Sequence, residues 1–172
     1  MTWLRRLDAH DRRLYDRWAL DASATMRRRR TWRALTTIGG ARVSIALALA
    51  PWLLVWGAPA LAASAAHVAH DAGWTLALSH AVVQLVKRSA GRARPSRAAD
   101  APDPFSFPSG HACASLAVML PVAAHWPWLG GPAVLLAILV GHSRVVLGVH
   151  YPGDVAVGQA IAVMTALAVI TP

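Results

Sequence analysis

From Val43 to Val86 the chain carries one formal charge, Asp71. A run so poor in charge constrains the fold more than any other feature of the sequence. An α-helix of about 20 apolar residues crosses the hydrocarbon core of a bilayer, because it satisfies its own backbone hydrogen bonds. The run accommodates two such crossings. The first covers residues 43–61 and the second leads up to Lys87, with the turn expected near His67 to Gly73. Residues 88–108 form a polar loop with four Arg and four Pro, which cannot cross. Three more apolar segments follow, at residues 112–126, 129–147 and 155–170. Trp126-Pro127-Trp128 marks an interfacial turn between the first two of them. The third and fifth segments reach spanning length only if they extend into the polar residues beside them. The expected fold is all-α, a multi-span transmembrane helical bundle of about five spans.

The 172 residues suit one domain, and 56% of them are apolar against 15% charged. The net charge of +9 does not indicate nucleic acid. Eleven of the seventeen basic residues lie within residues 1–42. The other six are Lys87, Arg88, Arg92, Arg94, Arg97 and Arg144, so no basic stripe forms on a soluble surface. The single cysteine, Cys113, excludes an internal disulfide and has no neighbours at metal-ligand spacing. The N-terminal region stays charged as far as Arg42 and shows no secretory signal. Within it, Trp3, Leu7, Leu14 and Trp18 fall on one side of a helix, with Arg5, Arg6, Arg12 and Arg13 over much of the rest. Two readings are open: a helix lying on the membrane surface, or one packed on its neighbours. Arg27 to Arg30 form a basic run suited to anionic headgroups. Residues 1–30 are therefore set apart as a basic amphipathic segment, and residues 31–172 as the membrane domain.

Three polar patches interrupt the apolar background. They are Lys87-x6-Arg94-Pro95, Pro108-Ser109-Gly110-His111 and Ser143-Arg144-x5-His150-x3-Asp154. Phosphoryl transfer spreads negative charge over three equatorial oxygens, so it depends on placed cations and N–H donors. Lys87, Arg94 and Arg144 supply the cations. Lys87 and Arg94 alone could be membrane-edge charges, but Arg144 interrupts an apolar segment, where a cation is costly. Ser109 and Gly110 open an apolar helix, either as a simple cap or as an anion site made by free N–H groups. His111 sits beside them, within reach of a leaving oxygen that needs a proton. Asp154 can orient the His150 imidazole and leave one nitrogen free to attack, although each residue alone could be a turn or helix-start residue. His10, His67, His70, His80, His125 and His142 lack such surroundings and are read as structural or solvent-facing.

Together the patches resemble the signature of the phosphatidic acid phosphatase type 2 superfamily, which is matched at every fixed position and in order. The resemblance covers about residues 31–172. It implies that His150 is the nucleophile forming a phosphohistidine, that Asp154 orients it and that His111 is the general acid. It also implies that Lys87, Arg94, Ser109, Gly110 and Arg144 bind the phosphate oxygens, with no metal and no cofactor. Many membrane members of the family have six spans, one more than this sequence shows.

The function expected is hydrolysis of a lipid phosphate or diphosphate, such as phosphatidic acid, phosphatidylglycerophosphate or a polyprenyl (di)phosphate. The alternatives are a vanadate-dependent haloperoxidase and a non-enzymatic membrane scaffold. The expected partners are the lipid phosphate substrate and membrane lipids. The expected location is the bacterial inner membrane. With five spans, the site shares a face with residues 1–42, whose eleven Arg against four Asp favour the cytoplasm.

Overall fold

A computed structural model describes residues 2–21, 23–95, 98 and 103–170, and the side chains of residues 2–7 lie outside the description. Eight α-helices follow one another: α1 (Thr2–Trp18), α2 (Met26–Thr37), α3 (Ala41–Leu49), α4 (Pro51–Gly57), α5 (Ala62–Ala90), α6 (Gly110–His125), α7 (Pro127–Val146) and α8 (Pro152–Ile170). Among the described residues there is no strand, only an isolated bridge between Ala93 and Phe105.

Helix α6 is the centre of the bundle and packs against α5, α7 and α8. Lipid tails are as apolar as leucine, so helices in a membrane associate through close packing rather than through exclusion of water. Many of the buried residues here are accordingly small: Ala69 and Ala72 on α5, Ala112 and Ala117 on α6, Ala137 on α7, Ala162 and Ala166 on α8. Several large apolar residues on the same helices point outward instead. Leu85 on α5, Leu135 on α7 and Met164 and Leu167 on α8 are all exposed. Exposed leucines and methionine around a core rich in alanine suit a surface in contact with lipid.

By length and composition, α7 and α8 can each cross a membrane. A third crossing is available if α2 and the α3–α4 segment count as one span bent by 48°. Helix α6, at 16 residues, is apolar but short. Helix α5 has 29 residues, about 44 Å of length, which exceeds the roughly 30 Å of hydrocarbon.

The expected turn at His67 to Gly73 is not present, because α5 runs through it unbroken. The chain reverses earlier, at Ala58 and the 3₁₀ turn Pro59–Leu61. Pro59 ends the preceding helix, whereas Gly73 costs its helix little. The polar residues that suggested a turn find partners within the bundle. Asp71 accepts from His125 Nε2 on α6 at 2.7 Å and meets His70 Nδ1 at 2.9 Å. The third and fifth segments do extend into the motifs, since α6 starts at Gly110 and α8 at Pro152.

Helix α1 packs against α7 and α8. Tyr15 is buried, donates its hydroxyl to the Gly148 carbonyl at 3.2 Å and lies 5.3 Å from the Tyr151 ring. Leu20 N–H donates to Val146 O at 2.8 Å. Of the apolar side expected for this helix, Leu14 is half-buried, Trp18 edges His142, and Trp3 and Leu7 lie outside the described side chains. Arg12, Arg13 and Arg17 are exposed.

Candidate active site

Each patch is brought to the same end of the bundle by a local feature of the chain. Gly91, with φ of 57°, ends α5 in the left-handed conformation that glycine adopts without penalty. Beyond the turn, Arg94 comes to the same carboxylate, Asp103, that Lys87 meets. The Ala93–Phe105 bridge and the Ser106 N–H bond to Arg92 O at 2.8 Å tie the loop to itself. Gly148, with φ of 76°, performs the corresponding reversal between Arg144 and His150. Ser109 docks on α8, donating its N–H to the Asp154 carbonyl at 2.9 Å. A Cβ at Gly158 would lie 2.5 Å from Ser109 O, so only glycine permits this approach.

His150 is buried and stands between two charged partners. On one side Arg94 Nη1 approaches Nε2 at 3.2 Å, and on the other Asp154 Oδ2 lies 3.5 Å from Nδ1. A guanidinium can only donate, so Nε2 must accept and the ring proton sits on Nδ1, facing the carboxylate. The Nδ1 separation is longer than a hydrogen bond, and Nδ1 has no hydrogen-bond partner in the protein. The pair is therefore electrostatic at this distance, and such contacts commonly shorten when substrate binds. Burial is the largest influence on His150. Together with the charges of Arg144 and Arg94 it outweighs Asp154 and pushes the imidazole pKa down to about 4. The ring is neutral at physiological pH, the form that an attack by imidazole would require.

The three cations differ in what they touch. Lys87 pairs with Asp103, and Arg94 Nη2 lies 3.6 Å from the same carboxylate. Burial works against ionisation of Asp103, but the Lys87 bond and the Phe105 N–H at 3.0 Å hold its pKa below the usual carboxylate value. One carboxylate thus meets the two cations on which a phosphoryl oxygen would compete. Arg144 Nη1 donates to Thr36 Oγ1 on α2 at 2.8 Å, and its buried Nε has no partner. Ser109 occupies the N-cap position of α6 yet makes no side-chain cap bond, contrary to the simple cap reading. Its buried Oγ is also unpartnered. Buried polar atoms are nearly always satisfied, so two such atoms beside this cation cluster point to a ligand with acceptor oxygens.

His111 lies in the first turn of α6, within coulombic reach of Arg144, His150, Arg94 and Lys87. The turn before α3 holds it in place. A Cβ at Gly39 would stand 2.7 Å from the His111 carbonyl, and one at Gly40 would stand 3.8 Å from its Nε2. His111 also borders a cavity of about 530 Å³ between α3, α5 and α6. Ile45, Ala48, Leu49, Leu76 and Ala114 contribute to its wall, which is almost wholly apolar. Among the described residues, no group of three or more His, Cys, Asp or Glu is placed to hold a metal ion.

All eight residues expected from the motifs therefore lie at one end of the bundle. Thr36, Asp103, Arg92, Asp8 and Asp11 join them without having been expected. Arg97 lies outside the described residues.

Residues 68–171 match the PAP2 superfamily. The chain belongs to that family. It is 42% identical over 89 residues to the decaprenylphosphoryl-5-phosphoribose phosphatase of Mycobacterium tuberculosis strain H37Rv, covering 49% of each chain. It is 36% identical over 97 residues to the lipid A 1-phosphatase of Rhizobium etli, covering 50% of this chain and 42% of the relative. The chain spans about half the length of the curated relatives it matches. The crystal structure of a transmembrane PAP2-type phosphatidylglycerolphosphate phosphatase from Bacillus subtilis superposes with a TM-score of 0.75. That superposition covers 96% of this PAP2 chain and 85% of the other, at 22% identity, and establishes the shared fold.

Proposed function

We propose that this PAP2 protein hydrolyses a lipid phosphate or diphosphate at the membrane through a phosphohistidine on His150. The observation that carries the lipid reading is the apolar cavity bordered by His111. It puts a wall suited to hydrocarbon next to His111, which itself lies within coulombic reach of cations suited to a phosphate. The relatives named above act, by name, on lipid-linked phosphates, which agrees with this reading.

In the proposed reaction Lys87, Arg94, Arg144, Ser109 and the Gly110 N–H hold the phosphoryl oxygens. His150 Nε2 attacks phosphorus while Asp154 stabilises the charge that develops on the ring. The bond from phosphorus to the lipid oxygen breaks, and His111, which carries a proton once the negative charge of the bound phosphate offsets the surrounding cations, gives that proton to the departing oxygen. A water molecule then attacks the phosphohistidine and passes a proton to His111. The nitrogen–phosphorus bond breaks and inorganic phosphate leaves. Each step uses a side chain of the site, so turnover in EDTA is expected to match that in Mg²⁺. Vanadate is expected to inhibit, since it can adopt the five-coordinate geometry of the transition state. Purified protein tested on phosphatidic acid, phosphatidylglycerophosphate, undecaprenyl diphosphate and glucose 6-phosphate decides the matter. Phosphate release only from the soluble ester, or only after Mg²⁺ is added, overturns the proposal.

The proposal extends to sidedness: the site faces the cytoplasm of a bacterial inner membrane. Helix α1 supports this, since it rests against the site and shares its face with the Arg-rich stretch of residues 1–42. Ser89 is exposed on the last turn of α5, two residues beyond Lys87. With Cys113 replaced by alanine, Ser89→Cys is expected to react with a membrane-impermeant maleimide only after cells are permeabilised. Labelling in intact cells places the site on the outer face instead.

A further inference from the structure

We infer that Arg92 is a positioning residue for the His150–Asp154 pair, and that helix α1 holds Arg92 in place through Asp8 and Asp11. The inference rests on the reading of His150 as nucleophile and goes beyond the motif residues. Asp154 is fully buried. A buried carboxylate without a cation tends to take up a proton, and it then no longer stabilises charge on an imidazole. The two oxygens of Asp154 are divided. Oδ2 accepts the Tyr151 N–H at 2.8 Å and faces His150, while Oδ1 accepts from Arg92 Nη1 at 2.7 Å. Among the described residues, Arg92 is the only Lys or Arg paired with this carboxylate.

The other end of the same fork reaches the N-terminal helix. Arg92 Nη2 donates to Asp8 Oδ1 at 2.9 Å and to Asp11 Oδ2 at 2.7 Å. The guanidinium lies over the Tyr151 ring, 4.3 Å from its centroid. Asp11 also accepts the Gly153 N–H at 2.7 Å, at the start of the helix that carries Asp154. Asp11 therefore anchors both the arginine and the backbone next to the carboxylate. A planar fork is required, because a lysine cannot bond Asp154 and α1 along two fixed directions at once. Both terminal nitrogens of Arg92 are engaged by carboxylates, so its effect passes through Asp154 rather than through the phosphate.

The distinguishing measurement is a double-mutant cycle on the full chain in detergent, with phosphatidic acid in micelles as probe. Arg92→Gln is expected to lower kcat about 10- to 100-fold, the range seen when partners that orient a metal-bound imidazole are removed. KM and inhibition by vanadate are expected to stay at the wild-type values. In Arg92→Gln combined with Asp154→Asn, kcat is expected to be no lower than in Asp154→Asn alone, because a residue acting only through Asp154 has nothing left to act on. Wild-type kcat in Arg92→Gln overturns the inference, as do multiplicative losses in the double variant or a raised KM with kcat kept. Wild-type kcat in Asp154→Asn overturns the reading of the pair itself, and this inference with it. Should Arg92→Gln fail to respond to vanadate, Asp11→Asn carries the same test with the arginine left in place. Lowered kcat at constant KM supports the role of α1, and unchanged kcat overturns it.

Discussion

Replacing His150 with alanine is expected to abolish both turnover and the covalent phosphoenzyme. Removing an activated nucleophile from a comparable hydrolytic site costs about 10⁶-fold in kcat, and a loss of that order is expected here. The expectation follows from the surroundings of the ring. Burial keeps the imidazole neutral, and Arg94 at Nε2 fixes the proton on Nδ1, toward Asp154. The nitrogen left without a proton therefore faces Arg94, one of the cations proposed to hold the phosphate. Rapid quenching after mixing with a lipid phosphate labelled in its phosphoryl group is the measurement. Wild-type protein should trap label that is stable to base and labile to acid, as a phosphoramidate is, and His150→Ala should trap none. Label retained by His150→Ala would assign the nucleophile to another residue. Vanadate bound by the variant would show that the phosphate pocket itself survives the substitution.

Much of this site can be read in the sequence because phosphate chemistry leaves few options. Cations, a glycine turn and an oriented imidazole are needed whatever the scaffold, so Lys87, Arg94, Ser109, Arg144, His150 and Asp154 stand out against an apolar background. The scarcity of charge likewise makes the apolar segments visible. Residues whose role depends on long-range contact are harder to see. Asp8 and Asp11 lie on an Arg-rich helix and look like ordinary surface acids, yet Asp11 meets Gly153 across the length of the chain. Arg92 is one of four arginines in residues 88–97. Only the left-handed turn at Gly91 and the tie from Arg92 to Ser106 select it for the inward position. The spacing of two acids three residues apart on α1 was the available signal, and it has meaning only once a partner is known. Helix α5 misleads for a related reason. His70 and Asp71 look like a polar turn until His125 on α6 is seen to complete the group.

Substituting His111 with alanine should separate substrates by their leaving group. A lipid alkoxide is a strong base and cannot depart without a proton, whereas nitrophenolate departs readily as an anion. General acid catalysis contributes about 10²- to 10⁴-fold, so kcat/KM for a lipid phosphate is expected to fall by that factor. For p-nitrophenyl phosphate the fall is expected to be less than about tenfold, since the transition state no longer needs the proton. Using kcat/KM matters, because it covers the steps only as far as departure of the leaving group. It thus omits the later hydrolysis of the proposed phosphohistidine, where the same histidine would act as base for both substrates. The position of His111 agrees with this division of labour. It borders the apolar cavity that would hold the lipid, and it lies within coulombic reach of the arginines that would hold the phosphate. The bond that breaks runs between those two regions, so a proton donor is needed at their junction. Equal losses of kcat/KM for the two substrates would remove His111 from that role and leave it as a residue that merely shapes the pocket.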